Sequence, residues 1–241
     1  MQDRKTEAHM HATLAGIANR ARISKQHRFG GLYTLLNEPM LRWSFYHLNR
    51  EAAPGVDEVT WSEYERNLDE NLARLVERLK RKAYRARLVR RHYIPKDGGK
   101  RRALGIPVLE DKIVQHAAKT ILEAIYEADF YDYSFAYRPE RSAKEASREL
   151  CFRLQFGRFG WVVECDVRGF FENMDHDWTL RMLRERVDDR AFIHLIEKWL
   201  KAGVMEDIHT VVHPGAGTPQ GGVISPILAN IYLHYALDLW F

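Results

Sequence analysis

The feature that most restricts the fold is a change of hydrophobic period between residues 61 and 106. Trp61, Tyr64, Leu68, Leu72, Leu75, Val76 and Leu79 recur at helical spacing, and Thr60 with Glu63 forms a capping box, so the pattern predicts one amphipathic helix over Trp61–Lys82. The pattern then turns to strand: Leu88–Ile94, a tight Lys96-Asp97-Gly98-Gly99-Lys100 turn and a return over Arg101–Ile106. A helix leading into an antiparallel hairpin commits the chain to a mixed α/β (α+β) class.

The remaining segments extend that class. Asp111–Glu127 carries Ile113, Val114, Ala117, Ile121, Leu122 and Ile125 on one face, and Ser142 with Glu145 caps a helix reaching about Gln155. Both are predicted as core helices. Trp161–Asp166 is a short β-rich run ending on an acid, so it predicts a strand that delivers a carboxylate to its end. Helices follow over His176–Arg186 and Arg190–Lys201, then a hairpin over Gly203–Val212, a glycine-rich loop over Pro214–Gly222 and an apolar helix over Ser225–Phe241. That last helix carries Ile227, Leu228, Ile231, Tyr232, Tyr235, Leu239 and Trp240, a wide apolar surface that predicts a covering segment beyond it. Repeats and low-complexity stretches are absent.

A net charge of +4 understates the local picture, because between Arg74 and Arg102 the only acids are Glu77 and Asp97. Basic residues on a projecting hairpin suit a polyanion, although a charge run also serves as a plain solvated face. Arg22, Lys25 and Arg28 read either as a basic arm or as a solvated, mobile terminus. Cys151 and Cys165 have neither ligand nor disulfide spacing; they read as small apolar residues in a reducing, cytoplasmic setting. No secretory segment or membrane span is visible in the sequence, so no membrane partner is expected.

Chemistry enters at Glu164-Cys165-Asp166-Val167-Arg168-Gly169-Phe170-Phe171-Glu172-Asn173-Met174-Asp175-His176, which resembles polymerase motif A. A lone Asp at a strand end is more often a turn cap. The balance changes at Gly217-Thr218-Pro219-Gln220-Gly221-Gly222-Val223-Ile224-Ser225-Pro226, which is similar to motif B of group II intron reverse transcriptases. The resemblance extends upstream through Gly55-Val56-Asp57, Tyr93-Ile94-Pro95-Lys96, Leu104-Gly105-Ile106-Pro107, Asp111-Lys112-Ile113-Val114-Gln115 and Ser134-Phe135-Ala136-Tyr137-Arg138-Pro139. In the last string Ala136 and Tyr137 depart from the usual Gly and Phe.

The chain is therefore identified as similar to group II intron-encoded reverse transcriptases, or maturases, with right-hand polymerase fingers and an antiparallel palm sheet. The resemblance implies an N-terminal extension over residues 1–54, fingers over 55–160 and a partial palm over 161–241, ending before the family's Tyr-Ala-Asp-Asp motif. It implies Asp166 as catalytic metal ligand, helped by the Val167 carbonyl, for a magnesium two-metal site. Phe171 takes the position of a ring that rejects a ribose 2′-hydroxyl; Lys96, Arg101, Arg102 and Gln220 would hold the incoming nucleotide; Arg138, Pro219 and Gly221 would meet template or primer. The implied partners are an RNA template, intron RNA, a DNA primer and deoxynucleotide triphosphates; a homodimer is neither required nor excluded by the sequence.

One Asp cannot hold two divalent ions about 3.5–4 Å apart, which puts catalysis by this chain alone in doubt. Asp188-Asp189 reads as a solvated helix junction and Glu164 as a weak second ligand. Two rivals stand beside polymerisation: a non-enzymatic module that holds intron RNA during splicing, and a reverse transcriptase-like protein of phage defence.

Overall fold

Helix α5 (Leu109–Tyr126) is the axis around which the rest packs, with twelve of its eighteen residues buried. A computed structural model describes residues 2–95, 99, 101–207, 210–218 and 221–240, the side chains of residues 2–6 excepted. Helices α1 (Gln2–Ile23), α2 (Glu38–His47) and α10 (Ser225–Ala236) all lie against α5. The main hydrophobic core among the described residues runs from Met10 to Ile231, with a small separate cluster of Val89, Ala202 and Val204.

The helix predicted over Trp61–Lys82 is two helices, α3 (Trp61–Glu65) and α4 (Leu68–Lys80). The Thr60–Glu63 capping box is present in full. Asn67 leaves helical geometry at φ −126°, ψ 39°, and Asn71 Nδ2 donates to the Tyr64 carbonyl at 3.0 Å near that break. The apolar stripe survives because Trp61, Tyr64, Leu68, Leu72, Leu75 and Leu79 are all buried.

Strands β1 (Val89–Pro95) and β2 (Arg101–Ile106) form the predicted hairpin, with Arg90 opposite Ile106 and Pro95 opposite Arg101. Strands β3 (Val204–Met205) and β4 (Val211–Val212) form the second hairpin. The two join through a parallel β1–β3 pair into one sheet of order β2-β1-β3-β4. An antiparallel palm sheet and a strand ending at Asp166 were expected, and the Trp161–Asp166 segment lies outside this sheet.

A predicted core helix and a predicted strand lie outside the core. Helix α6 (Ala143–Phe156) is capped by Ser142 as expected but buries no residue, and Leu150, Phe152, Leu154 and Phe156 are exposed. The predicted strand at Trp161–Asp166 has no regular secondary structure and no strand pairing, with Trp161 91% and Val163 84% exposed. Among the described residues no strand lies beside it, so neither its backbone nor its alternating side chains find a partner. Cys151 and Cys165 sit on these segments and are exposed.

After these segments come α7 (Phe170–Asn173), α8 (His176–Arg184) and α9 (Arg190–Leu200). The final helix stops at Ala236, short of the predicted Phe241, and Asp238–Trp240 form a 3-10 turn. Residues 21–28 are tied to the rest of the chain. Buried Arg186 donates to the carbonyls of Ala21, Ser24 and Lys25 and pairs with Asp129 at 3.3 Å. Lys25 reaches Asp129 at 3.4 Å and Arg28 donates to the Arg184 carbonyl at 2.9 Å, so these cations tie the chain to itself. Among the described residues, no helix is long and apolar enough to cross a membrane.

Candidate active site

Asp166 lies exposed on the segment that precedes α7. Gly169, at φ 60°, turns the chain into α7, which carries two aromatic residues. The Phe170 ring packs on the core edge, 5.8 Å from the Tyr232 ring of α10. The Phe171 ring meets the Tyr137 ring edge-on, centroids 6.4 Å apart at 82°, and the Phe170 ring at 5.7 Å.

The glycine-rich loop is bonded directly to this turn. The Gly217 amide donates to the Met174 carbonyl at 2.7 Å and the Thr218 amide to the Phe171 carbonyl at 2.8 Å. His176 Nε2 lies 2.6 Å from the Gly217 carbonyl oxygen. Gly217 holds φ +85°, and a Cβ there would fall 2.5 Å from the Glu172 carbonyl oxygen, so any larger residue forces the two segments apart. The loop also touches the hairpin, because a Cβ on Gly221 would lie 2.9 Å from the Gly105 carbonyl oxygen of β2. Val223 is fixed from α5, its amide donating to Gln115 Oε1 at 3.0 Å. Turn, loop and hairpin thus enclose an open cleft of about 210 Å³, lined by Arg91, Ala103, Glu172, Pro214, Gly217 and Thr218.

The residues expected to act together are only partly gathered. Arg101 and Arg102 are exposed on β2, the strand that backs Gly221. Lys96, Pro219 and Gln220 lie outside the described residues. Arg138, expected at template or primer, is turned inward: its side chain is 4% exposed, it forms a two-pronged ion pair with Glu127, and its Nη1 donates to the carbonyls of Tyr131 and Ser134, both at 2.7 Å. Those partners make it an internal brace of the 131–141 loop. Of the acidic pair, Asp189 caps α9 by accepting from the Phe192 amide at 3.0 Å, while Asp188 is exposed beside Arg28 at 3.6 Å.

The donor set does not fit a two-ion magnesium site. Asp166, the Val167 carbonyl and Glu164 lie on one exposed stretch of chain, and among the described residues no three His, Cys, Asp or Glu side chains gather to hold a metal.

Two groups were not read from the sequence. Glu206, at the β3–β4 turn, accepts from Arg91 Nε and the Tyr93 hydroxyl, each at 2.9 Å. Burial pushes the Glu206 carboxyl up, but these two bonds outweigh it and hold the group below the usual carboxylate range. Its partners lie more than a hundred residues away in sequence, so no local pattern announces it. Asp111, read only as a helix start, is buried and accepts from the Tyr84 hydroxyl and from the Arg87 amide at 2.9 Å. Burial pushes its carboxyl up to about 6 in spite of those bonds.

Residues 94–240, from the end of β1 to the last turn, match the reverse transcriptase (RNA-dependent DNA polymerase) family. The chain belongs to that family. It is 41% identical over 169 residues to the group II intron-encoded protein LtrA of Lactococcus lactis subsp. cremoris, covering 69% of this chain and 27% of that protein. It is 40% identical over 186 residues to YkfC of Escherichia coli strain K12, covering 75% of this chain and 48% of that one. These relatives place this reverse transcriptase chain in the group II intron branch, which is the branch its motifs resemble. A chain of a partial Cas6-RT-Cas1–Cas2 complex superposes with a TM-score of 0.53 over 85% of this chain and 34% of its own length, at 22% identity, a likeness of fold. The reverse transcriptase chain thus spans between about a quarter and a half of the length of the two curated relatives named.

Proposed function

We propose that these residues are the fingers and front palm of an RNA-directed DNA polymerase of group II intron type. The observation that carries this reading is the direct bonding of the 214–222 loop to the turn after Asp166, by Gly217 to Met174 and Thr218 to Phe171. It brings the two strings that resemble motifs A and B into one cleft, with the basic β1–β2 hairpin on its far side. In this reading residues 55–160 act as fingers and 161–241 as palm. Phe171 faces the sugar of a deoxynucleotide triphosphate, Gln220 meets the nucleotide, Lys96 with Arg101 or Arg102 holds the phosphates, and Pro219 and Gly221 lie along the template–primer duplex. Asp166 with the Val167 carbonyl supplies one part of a magnesium site whose other carboxylates must come from elsewhere. Polymerisation on an RNA template from a DNA primer is then a property of a longer chain, and residues 1–241 alone bind RNA and extend little.

The test is primer extension on an RNA template, run on residues 1–241 alone and on the longest reading frame that contains them. Extension by the longer chain, lost at least about a thousandfold in Asp166→Ala, is the expected result. Efficient extension by residues 1–241 alone, abolished by Asp166→Ala, would show that the carboxylate set is complete after all.

The second reading, a non-enzymatic holder of intron RNA, draws on the exposed Arg85, Arg87, Arg101 and Arg102 together with the incomplete donor set. It predicts RNA affinity that falls steeply with salt, a slope reduced by roughly one for each arginine removed, and no extension from any length of chain.

A further inference from the structure

Tyr137 is held in a conformation that neither burial nor backbone preference explains. Its φ is +56°, in the left-handed region that bulky residues avoid, and its side chain is 61% exposed. Glycine or asparagine would sit there without strain, and a large aromatic ring gains little from packing when most of it faces solvent. The structure holds the strain from three sides. Arg138 locks the next residue through Glu127 and the carbonyls of Tyr131 and Ser134. The Arg138 guanidinium also lies over the Phe130 ring at 5.3 Å. Asn230 of α10 donates from Nδ2 to the Ala136 carbonyl at 2.8 Å, fixing the residue before. The strained ring is delivered to one place, the edge-on contact with Phe171.

Phe171 itself is half-buried, on an α7 that is a single turn and buries no residue. Among the described residues, Tyr137 and Phe170 are the rings in contact with Phe171, so without Tyr137 the Phe171 ring keeps one aromatic neighbour.

We propose that Tyr137 is a positioning residue for sugar discrimination: its ring sets the orientation of Phe171, so that the two form an aromatic corner against the sugar of the incoming nucleoside triphosphate. The inference rests on the polymerase reading above and adds a residue to it. The strained loop then has a purpose, since a relaxed residue at 137 would leave Phe171 free to turn aside and admit a ribose.

The experiment is single-nucleotide primer extension by the longest reading frame containing these residues, comparing kcat/KM for a deoxynucleotide and its ribonucleotide counterpart. Tyr137→Phe keeps the ring and is expected to keep the ratio. Tyr137→Ala and Tyr137→Gly remove the ring and are expected to lower the ratio by about threefold to tenfold, the range of an aromatic pair. The loss should appear as better ribonucleotide use rather than poorer deoxynucleotide use. Tyr137→Gly also relieves the backbone, so its Tm should rise above that of Tyr137→Ala; a fall in ratio shared by both cannot be a folding defect. An unchanged ratio in Tyr137→Gly, or an equal fall in Tyr137→Phe, overturns the role of the ring while leaving the polymerase reading intact. Absence of any extension by the unaltered protein overturns both.

Discussion

Helices α5 and α6 were both predicted as core helices, yet α5 buries twelve residues and α6 none. The difference lies in their surroundings. Around α5 stand α1, α2 and α10, all of which offer side chains to it. Beside α6 and the 158–167 segment, no element among the described residues supplies a matching face, so Phe152, Phe156, Trp161 and Val163 stay in water. Periodicity says that a helix has a side to cover; it does not say whether the cover belongs to the same stretch of chain.

The sharpest way to break this comparison is to truncate one apolar side chain in each helix. Ile121→Ala in α5 removes a fully buried side chain and should cost about 3–5 kcal/mol in urea unfolding, whereas Phe152→Ala should stay within about 0.5 kcal/mol. Equal losses would mean that α6 is packed in solution and that the contrast is false.

The joint between the two helices offers the next effect. Arg138→Ala leaves Glu127 without its partner and frees the carbonyls of Tyr131 and Ser134. The expected loss is about 2–3 kcal/mol, less than for a fully buried pair because the Glu127 side chain is 28% exposed. A change below about 0.5 kcal/mol would show that the loop is held by other contacts.

A smaller effect concerns pH and α5 alone. Burial raises the Asp111 carboxyl to about 6 and lowers His116 to about 4, the latter helped by the charges of Lys119 and His47. Asp111, raised above its unfolded value, favours the fold at low pH and loses that contribution as pH climbs from about 4 to about 6. His116, depressed below its unfolded value of 6.5, favours the fold above that pH and loses the contribution as pH falls toward 4. The two slopes oppose each other, so thermal melts of the unaltered protein should vary little between pH 4 and 6.5. Asp111→Asn should expose a stability that falls with acid, and His116→Gln one that rises with acid, each on the order of 1–2 kcal/mol across the window. Parallel slopes in the two variants would contradict the assignment.

The elements were legible where local chemistry sufficed. The Thr60–Glu63 box, the β1–β2 hairpin and the Ser142 cap are where short-range pattern put them. The break at Asn67 was hidden because the stripe Tyr64, Leu68, Leu72 stays in phase across it. At the site, the motifs around Asp166 and Gly217 were readable as strings, but their direct bonding was not, since Met174 and Gly217 are linked only in space. The same holds for Glu206 with Arg91 and for Arg138 with Glu127, whose pairings no local string announces. Charge in a sequence has no address; burial gives it one.

Arg186 carries a last consequence. Three of its acceptors, the carbonyls of Ala21, Ser24 and Lys25, belong to the end of α1 and the turn after it, while the residue itself lies beyond α8. Anyone trimming the protein from its front would leave a guanidinium sealed in the interior with fewer oxygens to meet. The first helix is therefore a keystone rather than an overhang, and a shortened version that begins after residue 25 should be recovered as insoluble material even though every motif of the cleft remains in it.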